Sequence, residues 1–292
     1  MKKTNEKEQR NSSMSVEKYG EFTTEKKNEN SKNIDKLSSF EIVKLINDED
    51  KKVAYSVEKV LDSVAKAIDM TAERLGGGGR IFYIGAGTSG RLAVIDAAEC
   101  PPTYGTDPTL VQAVMAGGNE AVWFAGEGNE DDPKASIIEL KKRGFNSSDV
   151  CFGISASGSA SFVQSAMKYA RSLGALTIAY SCNTSSALID LTDVMILPVV
   201  GPEVICGSTR MKAATAQKMV LTMYSTGVMV KLGRVKGNLM LCMKPSNKKL
   251  VARAVRMICD QTGCDDQYAS EILTKCGMDI TKAIDMIEKD KK

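Results

Sequence analysis

The chain has 292 residues, 43% of them apolar, with 39 Lys and Arg against 36 Asp and Glu for a net charge of +3. That length buries a sizeable core in one large domain, or a domain with a small appendage. The weak charge, the lack of a dense basic run interleaved with aromatics and the lack of any apolar run near bilayer length exclude a nucleic-acid or membrane partner.

The first 22 residues are polar, charged and aperiodic, which predicts a disordered tail. The basic start has no apolar region after it, so no secretory leader is expected and the protein is expected to be cytoplasmic. A capping-box pattern, Ser38 with Glu41, opens a short helix ending near Asn47. A longer amphipathic helix follows, with Val53, Val57, Val60, Leu61, Val64, Ile68 and Leu75 on one face, and four glycines at 76–79 end it.

From Arg80 strand and helix alternate. Strands are predicted at 81–84, 110–115, 150–154, 176–181 and 194–198, and helices near 91–99, 120–124, 133–143 and 161–173. A Pro-Pro pair at 101–102 is read as the stop of the first of these helices. The alternation predicts an α/β fold with a doubly wound parallel sheet covered on both faces. Residues 208–231 read as a long, largely buried helix rich in Met and Ala. After Pro245, stretches 247–262, 266–276 and 280–289 read as a three-helix appendage punctuated by Gly263 and Gly277. The expected division is therefore a tail over 1–22, a main domain with its N-terminal helices over 23–245, and a helical subdomain over 246–292.

The chemistry is constrained by what is missing. The chain contains no histidine, which removes Ser-His-Asp and Cys-His catalysis and any His-bearing zinc site. A general acid or base working near neutral pH must then be a carboxylate, Lys, Tyr or Cys. The eight cysteines lie singly, without a CxxC pair, and read as small buried hydrophobes, not disulfides or metal ligands.

Residues 81–102, IFYIGAGTSGRLAVIDAAECPP, run a strand into a glycine- and hydroxyl-rich turn and then a helix. Unpaired amides and the helix dipole make such a turn an anion cradle, to which Thr88 and Ser89 add hydroxyls. The turn satisfies GxGxxG, but the second strand, TLVQAVMAGG, ends without the acidic residue that would hold a dinucleotide ribose. A phosphomonoester fits better. A second Ser-rich turn, Ser155 to Ser159 with Ser157 between, follows the strand VCFGI, and two such loops suggest one shared anionic ligand. Among carboxylates, Glu99 closes the first helix, while Glu127, Glu130, Asp131 and Asp132 form a cluster in which Asp131 and Asp132 read as solvated loop. A carboxylate pair in separate environments divides acid and base roles, though sequence alone does not identify the pair. A third constellation, Glu203 with Ser208, Arg210 and Lys212, reads equally as an anion site or as a capped helix with exposed basic residues.

GAGTSGRLAVIDAAECPPTYGT, EGNEDD, GISASG and VGPEVICGSTRMKAATAQK together closely resemble the N-acetylmuramic acid 6-phosphate etherase family of the sugar isomerase (SIS) fold. TEKKNENSKNID, INDEDKKV and LGRVKGNLM match as well, so the resemblance runs from about Thr24 to the C-terminus. It implies a flavodoxin-like, five-stranded SIS sheet, a homodimer with sites near the subunit interface, a phosphosugar substrate, and neither metal nor cofactor. The implied reaction removes D-lactate from carbon 3 of the ring-opened sugar and adds water, giving N-acetylglucosamine 6-phosphate. By motif position Glu99 corresponds to the acid at the lactyl oxygen and Glu130 to the base, while Thr88, Ser89, Ser155 and Ser157 correspond to the phosphate cradle. The chain departs from the family where Ser159-Ala160 stands for Arg-Thr, Ala214 for a glycine and Lys236 for a tyrosine. Ser159 or Ser161 is the expected replacement for the lost hydroxyl. The competing reading is a non-catalytic phosphosugar sensor resembling the glucokinase regulatory protein, whose chain carries two SIS modules; an aldose–ketose isomerase ranks third.

Overall fold

The computed structural model describes residues 22–126 and 128–290; the tail expected over 1–22 lies outside the described residues except for Phe22, which is buried. Five parallel strands, β1 (Ile81–Gly85), β2 (Val111–Met115), β3 (Val150–Ile154), β4 (Leu176–Tyr180) and β5 (Val194–Ile196), pair in the order β2-β1-β3-β4-β5. This is the flavodoxin-like order, in which β1 pairs with both β2 and β3 in register, Gly85 lying opposite Met115 and Ile154. The chain reverses its direction of winding between β1 and β3, which opens a crevice at their carboxyl ends.

Alternation along each strand builds two cores. Tyr83, Phe152, Ile178 and Tyr180 pack on one face against the helices α1 (Ser39–Glu58), α2 (Leu61–Gly76), α3 (Gly87–Tyr104) and α7 (Lys212–Lys231). Phe82, Ile84, Val114 and Cys151 pack on the other against α5 (Ala135–Lys142) and α6 (Ser161–Ser172), with Leu140, Phe162 and Met167 among them. The rings of Tyr83, Phe152 and Tyr224 meet edge-on or tilted, with Phe152 5.0 Å from Tyr224 at 82°, a favourable quadrupole arrangement. A short helix, α4 (Glu120–Trp123), follows β2. The last three helices, α8 (Lys248–Thr262), α9 (Asp266–Lys275) and α10 (Ile280–Asp290), close around their own cluster of Met257, Ile258, Leu273 and Ile284. Gly263 ends α8 in the left-handed region at φ +69°. Among the described residues no helix is long and apolar enough to cross a membrane.

Two local expectations are corrected. The first helix does not stop near Asn47 but runs through the polar run Asp48–Lys52 to Glu58, and the break falls at Lys59 and Val60. Nothing in that run breaks a helix, and Lys44 and Lys51 both pair with Asp48 across one turn. Likewise α3 passes through Pro101 and Pro102 and ends only at Gly105, whose amide bonds the Pro101 carbonyl at φ +62°. A proline ring holds φ near the helical value, so near a C-terminus each costs a hydrogen bond without redirecting the chain; the left-handed glycine supplies the stop.

Candidate active site

The crevice at the β1/β3 switch point holds a cavity of 320 Å³ lined by Thr88, Ser89, Ser155, Ser157, Ser159 and Glu130, together with Phe22, Glu25, Gly207 and Thr209. Both Ser/Thr loops read from the sequence thus converge on one space. Its first wall is the start of α3. Ala86 gives this helix no side-chain cap, and its first internal bond is Gly90 N–H to the Ala86 carbonyl. The amides of Gly87, Thr88 and Ser89 are left without an intrahelical acceptor at the positive end of the helix dipole. Gly85 and Gly90 allow this close approach: a Cβ on Gly85 would sit 2.8 Å from the Gly90 nitrogen. From the far side, the Gln217 amide of α7 donates to the Ser89 carbonyl at 2.9 Å and fixes the turn.

The second wall is the β3–α6 loop. Ser155 is buried and accepts from the Gly158 amide, Ser157 and Ser159 share a hydroxyl hydrogen bond of 2.7 Å, and Asn183 donates to the Ser157 carbonyl. Gln164 holds the loop from behind by donating to the carbonyls of Gly158 and Ser159. Gly158 sits at φ +78° and a Cβ there would overlap the Ser186 hydroxyl, so a larger residue does not fit without displacing it. Of the two expected replacement hydroxyls, Ser159 lines the cavity and Ser161 does not.

Glu130 enters from a 3-10 turn, Asn129–Asp131, set up by Gly128 at φ +79°. The approach to that turn is anchored by Arg91 of α3, whose guanidinium donates to the carbonyls of Ala121, Val122 and Phe124. Asp132 lies in the exposed loop before α5 and accepts from the amides of Lys134 and Ala135, a loop role as expected. Glu127 lies outside the described residues.

Glu99 is not on this cavity. It lies twelve residues beyond Gly87 on α3, about 18 Å along the helix axis, and lines a separate groove of 230 Å³ between α3 and α7 with Asp96, Cys100, Lys218 and Ser225. Within one chain the cradle and Glu99 are farther apart than a hexose ring spans. Asp96 anchors this stretch, accepting from the Tyr83 hydroxyl at 2.8 Å and the Ser225 hydroxyl at 3.0 Å. Burial raises its carboxyl against the lowering effect of those two bonds.

The GSTRMK constellation divides differently from the expected ligand set. Glu203 is buried and its two oxygens accept the amides of Lys212 and Ala213, both at 2.9 Å, capping α7. Burial raises its carboxyl, opposed by those amides. Lys212 is also buried, and its ammonium lies 2.6 Å from Glu49 Oε2. Neither side chain reaches the cavity, and Ser208 and Arg210 are likewise absent from its lining, where Gly207 and Thr209 stand instead. The sequence reading missed Phe22, Glu25 and Thr209. The one available signal for Glu25 was its place in the TEKKNENSKNID match.

Two hydroxyl-lined loops facing one crevice in a 2-1-3-4-5 parallel sheet place the protein in the SIS-fold class. A sequence profile of the glucokinase regulatory protein N-terminal SIS domain matches residues 42–171. The fold is shared with the phosphoheptose isomerases of Francisella tularensis, at TM-score 0.51 and 16% identity over 66% of this chain and 98% of theirs, and Neisseria gonorrhoeae, at TM-score 0.51 and 19% identity over 65% and 99%. The N-acetylmuramic acid 6-phosphate etherase of Clostridium beijerinckii is 51% identical over 91% of this chain and 88% of its own. That of Clostridium acetobutylicum is 51% identical over 93% and 90%. The chain belongs to the N-acetylmuramic acid 6-phosphate etherase family.

Proposed function

We propose that the protein is a carbon–oxygen lyase that cleaves the D-lactyl ether of N-acetylmuramic acid 6-phosphate, giving N-acetylglucosamine 6-phosphate and D-lactate. One observation carries this reading beyond family membership: Glu130 lies on the same cavity as both hydroxyl loops, so a phosphosugar anchored there meets a carboxylate. The hydroxyls of Thr88, Ser89, Ser155, Ser157 and Ser159 and the first-turn amides of α3 hold the phosphate. In the ring-opened aldehyde the C2 proton is acidified, and Glu130 removes it. The C3–O bond then breaks, Glu99 gives a proton to the departing lactyl oxygen, and water adds at C3 of the unsaturated aldehyde. Every proton is supplied by a carboxyl or water, in keeping with a chain that has no histidine.

Because Glu99 stands about 18 Å along α3 from the cradle, it serves the cradle of a second copy, and the working unit is a cytoplasmic homodimer. The exposed Ile95 beside Glu99 on the α3/α7 groove supports that face as the contact. The purified chain supplied with the substrate releases lactate, and Glu130→Gln and Glu99→Gln nearly abolish release. Tight binding of phosphosugar without any lactate moves the conclusion to a non-catalytic sensor of the glucokinase regulatory type.

A further inference from the structure

The cavity contains a second carboxylate that the reaction as described leaves unused. Among the described residues, the ionisable side chains lining it are Glu130 and Glu25. Glu25 belongs to a segment that straps across the 202–207 loop: Asn28 donates to the Pro202 carbonyl, Ser31 to the Val204 carbonyl at 2.7 Å, the Gly207 amide to the Thr24 carbonyl at 3.1 Å, and the Cys206 thiol to the Glu25 carbonyl at 3.1 Å. Phe22 is buried at the head of the strap. The Glu25 side chain crosses Gly207, where φ is +74° and a Cβ would stand 2.9 Å from Glu25 Oε2. Room for the carboxylate is thus made by the one residue type that leaves it. Among the described residues no donor or cation pairs with that carboxylate, so its two oxygens are available to a ligand.

A carboxylate beside an anion cradle repels phosphate, so its place there needs another chemistry. The proposed elimination requires an open-chain aldehyde, and closed-ring substrate must first be opened. We propose that Glu25 is a catalytic residue that opens the sugar ring, a role that rests on the etherase reading. One Glu25 oxygen takes the proton of the C1 hydroxyl, the O1 electron pair closes to the carbonyl, the C1–O5 bond breaks, and the carboxyl returns the proton to O5. No proton, electron or co-reactant is consumed, so the carboxylate ends as it began. Glu130 remains free as the base for the C2 proton, and the two steps fall to two walls of one cavity.

The test compares wild type and Glu25→Gln, both as full chains, on N-acetylmuramic acid 6-phosphate and on its 4,5-dideoxy analogue, which has no hydroxyl able to close a furanose or pyranose ring. On the natural substrate Glu25→Gln lowers kcat by roughly 10²- to 10⁴-fold, while affinity for N-acetylglucosamine 6-phosphate stays within about threefold. On the open-chain analogue the variant matches wild type. A deuterium at C2 slows wild type more than the variant, because ring opening has become the slow step. Equal loss on both substrates, loss through KM alone, or no loss overturns the assignment to ring opening. Lactate release by wild type in the same assay separates this outcome from failure of the etherase reading, in which wild type releases none from either substrate. Glu25→Asp and a thermal midpoint for each variant separate loss of chemistry from loss of fold.

Discussion

Lys212 distinguishes a ligand residue from a structural one, because sequence offered it as a substrate contact and the structure buries it against Glu49. Lys212→Met removes the ammonium 2.6 Å from Glu49 Oε2, between side chains only 2% and 4% exposed. Stranding one partner of a buried pair costs about 3–5 kcal/mol. Here Glu49 keeps Lys52 and Asn30 on its other oxygen, which places the loss at the lower end, about 3 kcal/mol. For a chain of this size, an unfolding entropy of roughly 0.6 kcal/mol/K turns that into a fall of about 5 °C in Tm. Glu49→Leu combined with Lys212→Met recovers most of the loss, since no unpaired charge is left. The pH dependence has a definite sign. Burial raises the Glu49 carboxyl, but the hydrogen bonds from Lys212, Lys52 and Asn30 outweigh it and hold it at about 2, against an ordinary value of 4.5. A depressed carboxyl contributes stability that is full above its unfolded value and lost as pH falls. The gap between wild type and Lys212→Met therefore narrows as pH drops from 5 toward 2. Calorimetry and urea unfolding measure both effects, with phosphosugar titrated separately. An unchanged Tm together with a tenfold or greater loss of phosphosugar affinity would refute the buried-pair argument and restore Lys212 to the ligand set.

Other outcomes follow from the same geometry. Thr88→Val removes one hydroxyl from a charged acceptor and weakens product binding by about tenfold or more, equivalent to roughly 1.5–3 kcal/mol, read by titration calorimetry. Gly158→Ala, at φ +78° against Ser186, costs at least about 1–2 kcal/mol in the left-handed region and raises KM by displacing the Ser157 loop; an unchanged KM contradicts the wall it is placed in. Mixing Glu99→Gln with Glu130→Gln protein and allowing subunits to exchange restores about a quarter of wild-type lactate release, because half the dimers are mixed and each of those has one complete site. No recovery after verified exchange rules out a shared site. Ser159→Ala loses the hydrogen bond to Ser157 and weakens phosphosugar binding, whereas Ser161→Ala leaves it unchanged in the same titration.

The sequence by itself determined the local pieces. Mostly apolar runs set the strands; β1, β3 and β4 are buried along their whole length, while β2 and β5 carry half-buried positions such as Gln112 and Met195. Small residues and hydroxyls at 85–90 and 155–159 determined the two cradles, because the backbone at those turns needs glycine and the amides there attract an anion. Motif position alone brought out Glu130. What sequence could not decide were contacts between distant parts of the chain. Strap and loop meet through hydrogen bonds such as that from the Cys206 thiol to the Glu25 carbonyl, 181 residues apart in sequence, and nothing in an aperiodic polar segment announces its partner. Glu203 and Lys212 looked like surface ligands because charge is visible in a sequence and burial is not; the fold encloses both and uses them to cap α7 and pair Glu49. Glu99 shows the boundary most plainly. Its helix and its position near the helix end were written in the sequence, but its place in a groove apart from the hydroxyl-lined cavity is seen only once α3 is laid against α7, and the proposal of a shared site rests on that separation.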